Sequence, residues 1–244
     1  MFSLKIVTKI CAIAAISTSI SLAQNARKVA FRTLCLEQIP GLEKVSLPGV
    51  NPGELQEVNL YTDVSPVVEG VFKTSEAAFY SAAPGADGKP VLKPVGKATL
   101  GKSERQLFIF APVKAADGKP AYGITVFDDD TKTFPMGHIR AINLAPVPIR
   151  FQLSGELTPQ IAPTKFAQFP HSKKVNDYNM YPVLVQFLSG NGEWVNGQSV
   201  SWRALENRRE IVITSVDLRT KQPTVNMFAD FPPWMEKPAS ASGN

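Results

Sequence analysis

The stretch FPMGHIRAINLAPVPIRFQL, Phe134 to Leu153, decides the fold class of this 244-residue chain. From Val147 onward it alternates, with Ile149, Phe151 and Leu153 on one side and Arg150, Gln152 and Ser154 on the other. Period 2 is the mark of a strand with one buried and one wet face. Gly137 to Leu144 reads as a second short strand, β-branched at Ile139 and Ile142. Pro146 and Pro148 between them have no N–H for a ladder, so the chain must leave the sheet there. The expectation is a strand, a proline corner, and a second strand that crosses to another sheet.

Working outward, the five residues Ala-Asp-Gly-Lys-Pro occur twice, at 86–90 and 116–120, and both read as hairpin tips. Between them Leu107-Phe108-Ile109-Phe110 is apolar on both faces, which calls for a central strand covered on each side. Ser189-Gly190-Asn191-Gly192 and Asn196-Gly197 read as further turns. A basic, polar turn leads into a strongly apolar strand at Ala98–Ile109 and again at Arg203–Ile213, and Val58-Asn59-Leu60 resembles Ile142-Asn143-Leu144. These echoes predict an all-β chain: an antiparallel β-sandwich of immunoglobulin-like type, built as two related units in tandem. The expected divisions are a lead-in at 24–54, a first sandwich at 55–134, a second at 135–234 and a disordered tail at 235–244.

Residues 1–23 read as a cleaved signal peptide, with Lys5 and Lys9 before an apolar run at 10–22 and small residues at Ser21 and Ala23. The run is short for a membrane span, so no span is expected after cleavage. Without that segment 24 basic residues face 21 acidic ones, a net charge of +3, which argues against nucleic acid as a partner. Cys35 is then the lone cysteine, read as a buried thiol between Leu34 and Leu36, with a reactive thiol as the other reading.

Candidate sites are few. Asp128-Asp129-Asp130 carries hard oxygen ligands suited to Ca²⁺, but Thr131-Lys132-Thr133 supplies none of the further ligands a calcium loop needs, so the run reads as a solvated strand end. His138 and His171 stand in no metal or nucleophile pattern, and no residue pattern calls for a cofactor. Arg203, Arg208, Arg209, Arg219 and Lys221 interleave with acidic residues and read as a solvated edge. Trp194, Trp202, Tyr178 and Tyr181 are the candidate ligand-binding residues, since aromatics exposed on a sandwich face stack on sugars or grip a protein, but the favoured reading of these aromatics is as core residues and strand-end anchors.

Phe127-Asp128-Asp129-Asp130, followed by Phe134-Pro135-x-Gly137-x-Ile139-Arg140-x-x-Asn143-Leu144, resembles uncharacterised secreted bacterial β-sandwich proteins over roughly residues 90–232. The resemblance implies a fold and a location, and no catalytic residue. The leading expectation is a non-catalytic periplasmic or secreted protein that binds or scaffolds an envelope protein or polysaccharide. The alternatives are a carbohydrate-binding module working through the aromatics, and a hydrolase whose site is assembled from distant loops.

Overall fold

The protein is described by a computed structural model over residues 26–49, 51, 53–85, 90–217, 220 and 222–234. The expected signal segment, the tail and the tip at 86–89 lie outside the described residues.

Every regular element described is a strand. The first sandwich contains β1 (Arg27–Cys35), β2 (Lys44–Pro48), β3 (Leu55–Asn59), β4 (Val68–Phe72), β5 (Glu76–Pro84), β6 (Pro90–Thr99), β7 (Arg105–Lys114) and β8 (Pro120–Asp128). The second contains β9 (His138–Asn143), β10 (Ile149–Leu153), β11 (Glu156–Leu157), β12 (Phe166–Pro170), β13 (Met180–Leu188), β14 (Trp194–Arg203), β15 (Arg209–Val216) and β16 (Pro223–Asp230). The sheets of the first unit run β4-β1-β7-β8 and β3-β2-β5-β6. Those of the second run β12-β9-β15-β16 and β11-β10-β13-β14, the same order advanced by eight strands.

The likeness extends to register. All pairings are antiparallel except β1 with β7 and β9 with β15, which are parallel in both units. Phe31 faces Gln106 in one pair and Ile139 faces Glu210 in the other, so Arg32 corresponds to Arg140 and Gln106 to Glu210. Both β5–β6 and β13–β14 carry a bulge midway along the ladder. These correspondences correct one expected echo. The counterpart of Ile142-Asn143-Leu144 is Leu34-Cys35-Leu36, at the end of β1, and Val58 lies on β3. Leu36 N donates to Phe110 O and Leu144 N to Thr214 O, at 2.9 and 2.8 Å.

Three apolar clusters stack the four sheets. One fills the first sandwich around Phe31, Phe79, Phe108 and Phe110. A second fills the other around Ile149, Phe151, Tyr181 and Trp202. The third joins the units, with Leu34, Leu107 and Ile109 from one against Ile142, Ile211 and Ile213 from the other. The strand β7 is therefore buried on both faces, Phe108 and Phe110 toward its own core and Leu107 and Ile109 toward the neighbouring unit. The two-sided apolar run between the repeated turns has this cause.

The proline corner is as the alternation implies: β9 lies in one sheet of the second unit and β10 in the other. Asn143 holds the bend, donating from Nδ2 to the Val147 and Ile161 carbonyls (2.8 and 2.9 Å) and accepting from Ala145 N. Cys35 stands at the equivalent bend, fully buried, its Sγ on Glu37 O at 3.1 Å. Burial raises its pKa, so the thiol is held away from its reactive form.

Two expectations are corrected. The described part of the expected lead-in at 24–54 belongs to the first sandwich, because β1 is an inner strand of its sheet and β2 contributes Val45 and Leu47 to the core. Gly41 and Gly53, both at positive φ, mark turns on either side of β2. Asn196-Gly197 is no turn either, since both residues lie inside β14. Gly197 is needed there because the Phe187 ring lies over it: a Cβ would come within 2.4 Å of that ring, at the bulge.

The faces of β10 can be tested. Phe151 is fully buried, so Phe151→Ala is expected to cost about 3–5 kcal/mol. Arg150 points outward but lies 4.2 Å over the Trp194 ring and donates to Gln186 Oε1 at 2.7 Å, so Arg150→Ala is expected to cost about 1 kcal/mol and not zero. Denaturant unfolding of both variants measures the difference, and equal losses would contradict the assignment.

Candidate functional site

The acidic run ends β8, and its three carboxylates go three ways. Asp128 accepts from Ser103 N at 2.9 Å. Asp130 caps its own turn, accepting from Lys132 N and Thr133 N. Asp129 is completely buried and so is not part of a solvated strand end. Its Oδ2 accepts from Arg32 Nη2 (2.7 Å) and its Oδ1 from Arg209 Nη2 (2.6 Å). Asp230 closes a ring, with Oδ1 on Arg32 Nη1 at 2.6 Å and Oδ2 on Arg209 Nε at 2.7 Å. Asp129 N bonds Arg105 O and Arg209 pairs with Asp230 across β15–β16, so the two aspartates are counterparts in the duplicated topology. Burial alone would lower the Arg32 pKa, but Asp129 and Asp230 more than offset it and hold it above its ordinary value. Both oxygens of Asp129 are thus occupied by guanidinium, while Asp128 and Asp130 accept from backbone amides elsewhere, so the three carboxylates of the run do not converge. Among the described residues no group of three or more His, Cys, Asp or Glu converges on a metal position. Arg209, expected on a solvated edge, is at the centre of this ring.

The four aromatic candidates do not share a face. Tyr181 and Trp202 are 1% and 7% exposed and belong to the second core, where neither ring is open to stack on a ligand. They pack inward because both alternate in phase with Val183 and Val200. Trp194 is half-buried under Arg150, while Tyr178 is 74% exposed. These two stand at opposite ends of the nine-residue strand β13, about 30 Å apart at the rise of a strand.

A cleft of about 640 Å³ lies between the segment following β12 and the β14–β15 loop, lined by His171, Ser172, Lys173, Asn179, Glu206 and Asn207 among others. Gly137, at φ +69°, donates to Arg208 O and accepts from His171 N, which draws the two walls together. His171 lies at the floor, only 9% exposed. Its Nδ1 is 2.7 Å from Tyr181 Oη, and its Nε2 faces Glu210 Oε2 at 3.7 Å. With the phenol donating to Nδ1, the ring proton sits on Nε2 and is directed at Glu210. The other carboxylate oxygen, Oε1, accepts from Arg208 Nη2 at 2.6 Å. Neither His171 Nε2 nor Glu210 Oε2 has a hydrogen-bond partner among the described residues. Burial, aided by Arg208 and His138, pushes His171 down to about 4. Burial likewise raises Glu210 and Tyr181.

The first unit shows what this position does when it is only structural. Gln106, the counterpart of Glu210, donates to the carbonyls of Gly101 and Ser103 and accepts from Gly101 N. The amide thus satisfies its loop, whereas the carboxylate in the second unit faces a histidine. The sequence carried one sign of this, a glutamate directly before the apolar run Ile211-Val212-Ile213. Its partner His171 is 39 residues away and shares no pattern with it.

No protein-family profile and no curated protein matches the chain. Among solved structures, human GIVD cytosolic phospholipase A2 aligns with 88% of this chain and 31% of its own, at 10% identity and a TM-score of 0.24. The chain spans under a third of that protein, and the likeness is too slight to bear on fold or function.

Two consequences can be measured. Asp230→Ala leaves two buried guanidinium groups short of a partner and is expected to cost about 3–5 kcal/mol. Removing the exposed Lys44–Glu57 pair should leave the unfolding midpoint where it was. For His171 the folded pKa lies below its ordinary 6.5, so as pH falls from 6.5 to 4 the unfolded chain takes up a proton that the folded ring refuses. This removes up to about 3 kcal/mol of stability, while the raised Glu210 acts in the opposite sense. The stability gap between the native protein and His171→Gln is therefore expected to shrink on acidification, and a gap constant from pH 7 to 4 would contradict the assignment.

Proposed function

We propose that the chain is an exported, non-catalytic β-sandwich protein that binds a partner at the cell envelope through the cleft above His171. The observation that carries this reading is the floor of the cleft, where two buried polar atoms, His171 Nε2 and Glu210 Oε2, have no hydrogen-bond partner among the described residues. Such atoms cost stability unless a bound group or water completes them. The walls are held by the strand ends of a rigid sandwich, and Lys173, Asn179 and Asn207 offer donors and acceptors around the opening. The signal-like first 23 residues support export.

A polysaccharide as the partner is favoured by Tyr178, an exposed ring next to Asn179 on the cleft wall. A hydrolase reading would need a nucleophile against His171. The adjacent Ser172 instead points its Oγ to Ser154 Oγ at 3.0 Å.

A photoreactive residue placed at Asn207, with Lys97 as the control position on the first sandwich, tests the reading in intact cells. The expected outcome is a discrete adduct from position 207 only, from protein whose first residue is Gln24. Absence of an adduct together with no retardation in polysaccharide-containing gels would overturn the binding role, and an intact Met1 would overturn export.

A further inference from the structure

The two sandwiches share one topology, so each serves as a control for the other, and they differ at one edge. In the first unit the edge strands β6 and β8 lie against each other. A Cβ on Gly96 would come within 2.7 Å of Ile124 and 2.8 Å of Tyr122 O. The strand β6 also bears Pro90, Pro94, Lys93 and Lys97, the residues that keep a sheet edge from recruiting another strand.

In the second unit the corresponding strands β14 and β16 barely touch. The sequence of β14, WVNGQSVSWR, has no proline or lysine, and its one charge is Arg203 at the end. Pro223 is the first residue of β16, and its one charged residue, Asp230, is buried in the guanidinium ring. Ala204 N donates to Asn179 O, so by the alternation of an antiparallel ladder Trp202 and Val200 also bond toward β13. The N–H and C=O groups of Ser199, Ser201 and Arg203 then point away from β13, to a side where no described strand pairs with β14. Val200, Val225 and Met227 are half-buried against the core on either side of this opening.

We propose that this open seam accepts an extended segment of a partner polypeptide, which adds to β14 as a further strand. The first unit shows the chemistry of what closes such a seam: a strand with apolar residues at alternate positions, as β8 places Tyr122, Ile124 and Val126 beside β6. Backbone groups of Ser199, Ser201 and Arg203 supply the ladder, and the half-buried aliphatic residues receive the alternate side chains. The site is separate from the cleft, and either can fail without the other.

The probe is a fluorescent peptide with the β8 sequence, PAYGITVFD, with a shuffled peptide of equal composition that breaks the alternation as control. The β8 peptide is expected to bind the native protein saturably and to slow hydrogen exchange at Ser199, Ser201 and Arg203. Ser201→Pro removes one outward N–H and no bond to β13, and is expected to weaken binding about tenfold. Ser201→Lys, which only places a charge on an exposed position, is the second variant and should weaken binding as well. Equal binding of the shuffled peptide, binding indifferent to both variants, or protection confined to residues 204–207 would overturn the proposal. Protection of the same three amides without peptide, rising with protein concentration as a dimer forms, would reassign the seam to a second copy of the chain.

Discussion

Two guanidinium groups and two carboxylates, sealed from water between two β-sandwiches, set the geometry of the whole molecule. Arg32, Asp129, Arg209 and Asp230 sum to zero charge, and each carboxylate receives both arginines. Moving four ions out of water is costly, and an apolar substitute of the same shape could be as stable. What the ring supplies is direction. Planar guanidinium groups bond two carboxylates in few orientations, whereas the surrounding Leu34, Ile109, Ile142 and Ile213 would tolerate sliding. The relative placement of the two sheets, and so of every loop at this end, follows from that constraint.

The surroundings of the ring repeat its symmetry. Phe134, which follows the last strand of the first unit, lies 4.3 Å from Arg140 and 4.5 Å from Arg209 of the second. Trp234, which follows the last strand of the second unit, lies 5.0 Å from Arg32 and 5.5 Å from Arg105 of the first. Each unit thus lends an aromatic ring to the arginines of the other. This is the self-complementary pattern of a twofold dimer, realised here within one chain.

The two units have diverged where such a joint leaves room. Arg27 covers the β6–β7 loop of the first, donating to the carbonyls of Gly101, Lys102 and Ser103. The matching loop of the second unit forms a wall of the cleft. Where the first unit has Gln106 the second has Glu210, opposite a histidine, and the prolines and lysines of β6 have no counterpart in β14. Each difference replaces a satisfied or protected feature with an unsatisfied or open one. Local rules broken in one copy and obeyed in the other are expected at functional or strained sites, and here they coincide with the cleft and the β14 edge.

Strand identity was legible in the residues themselves, because side-chain direction along a strand depends only on position. The alternation of Ile149, Phe151 and Leu153, the proline corner, the two-sided run at Leu107–Phe110 and the tandem units could all be read locally. The site could not. Asp129 looks like one of three surface carboxylates until Arg32 and Arg209, 97 and 80 residues away, meet it. Trp202 and Tyr181 could by residue type serve a core or a ligand, and the register of β13 with β14 turns them inward. His171 acquires a role only when the fold sets Tyr181 and Glu210 against it. Charge and aromaticity take their meaning from burial and partners, which arise from contacts between distant parts of the chain, and only the tertiary structure decided those.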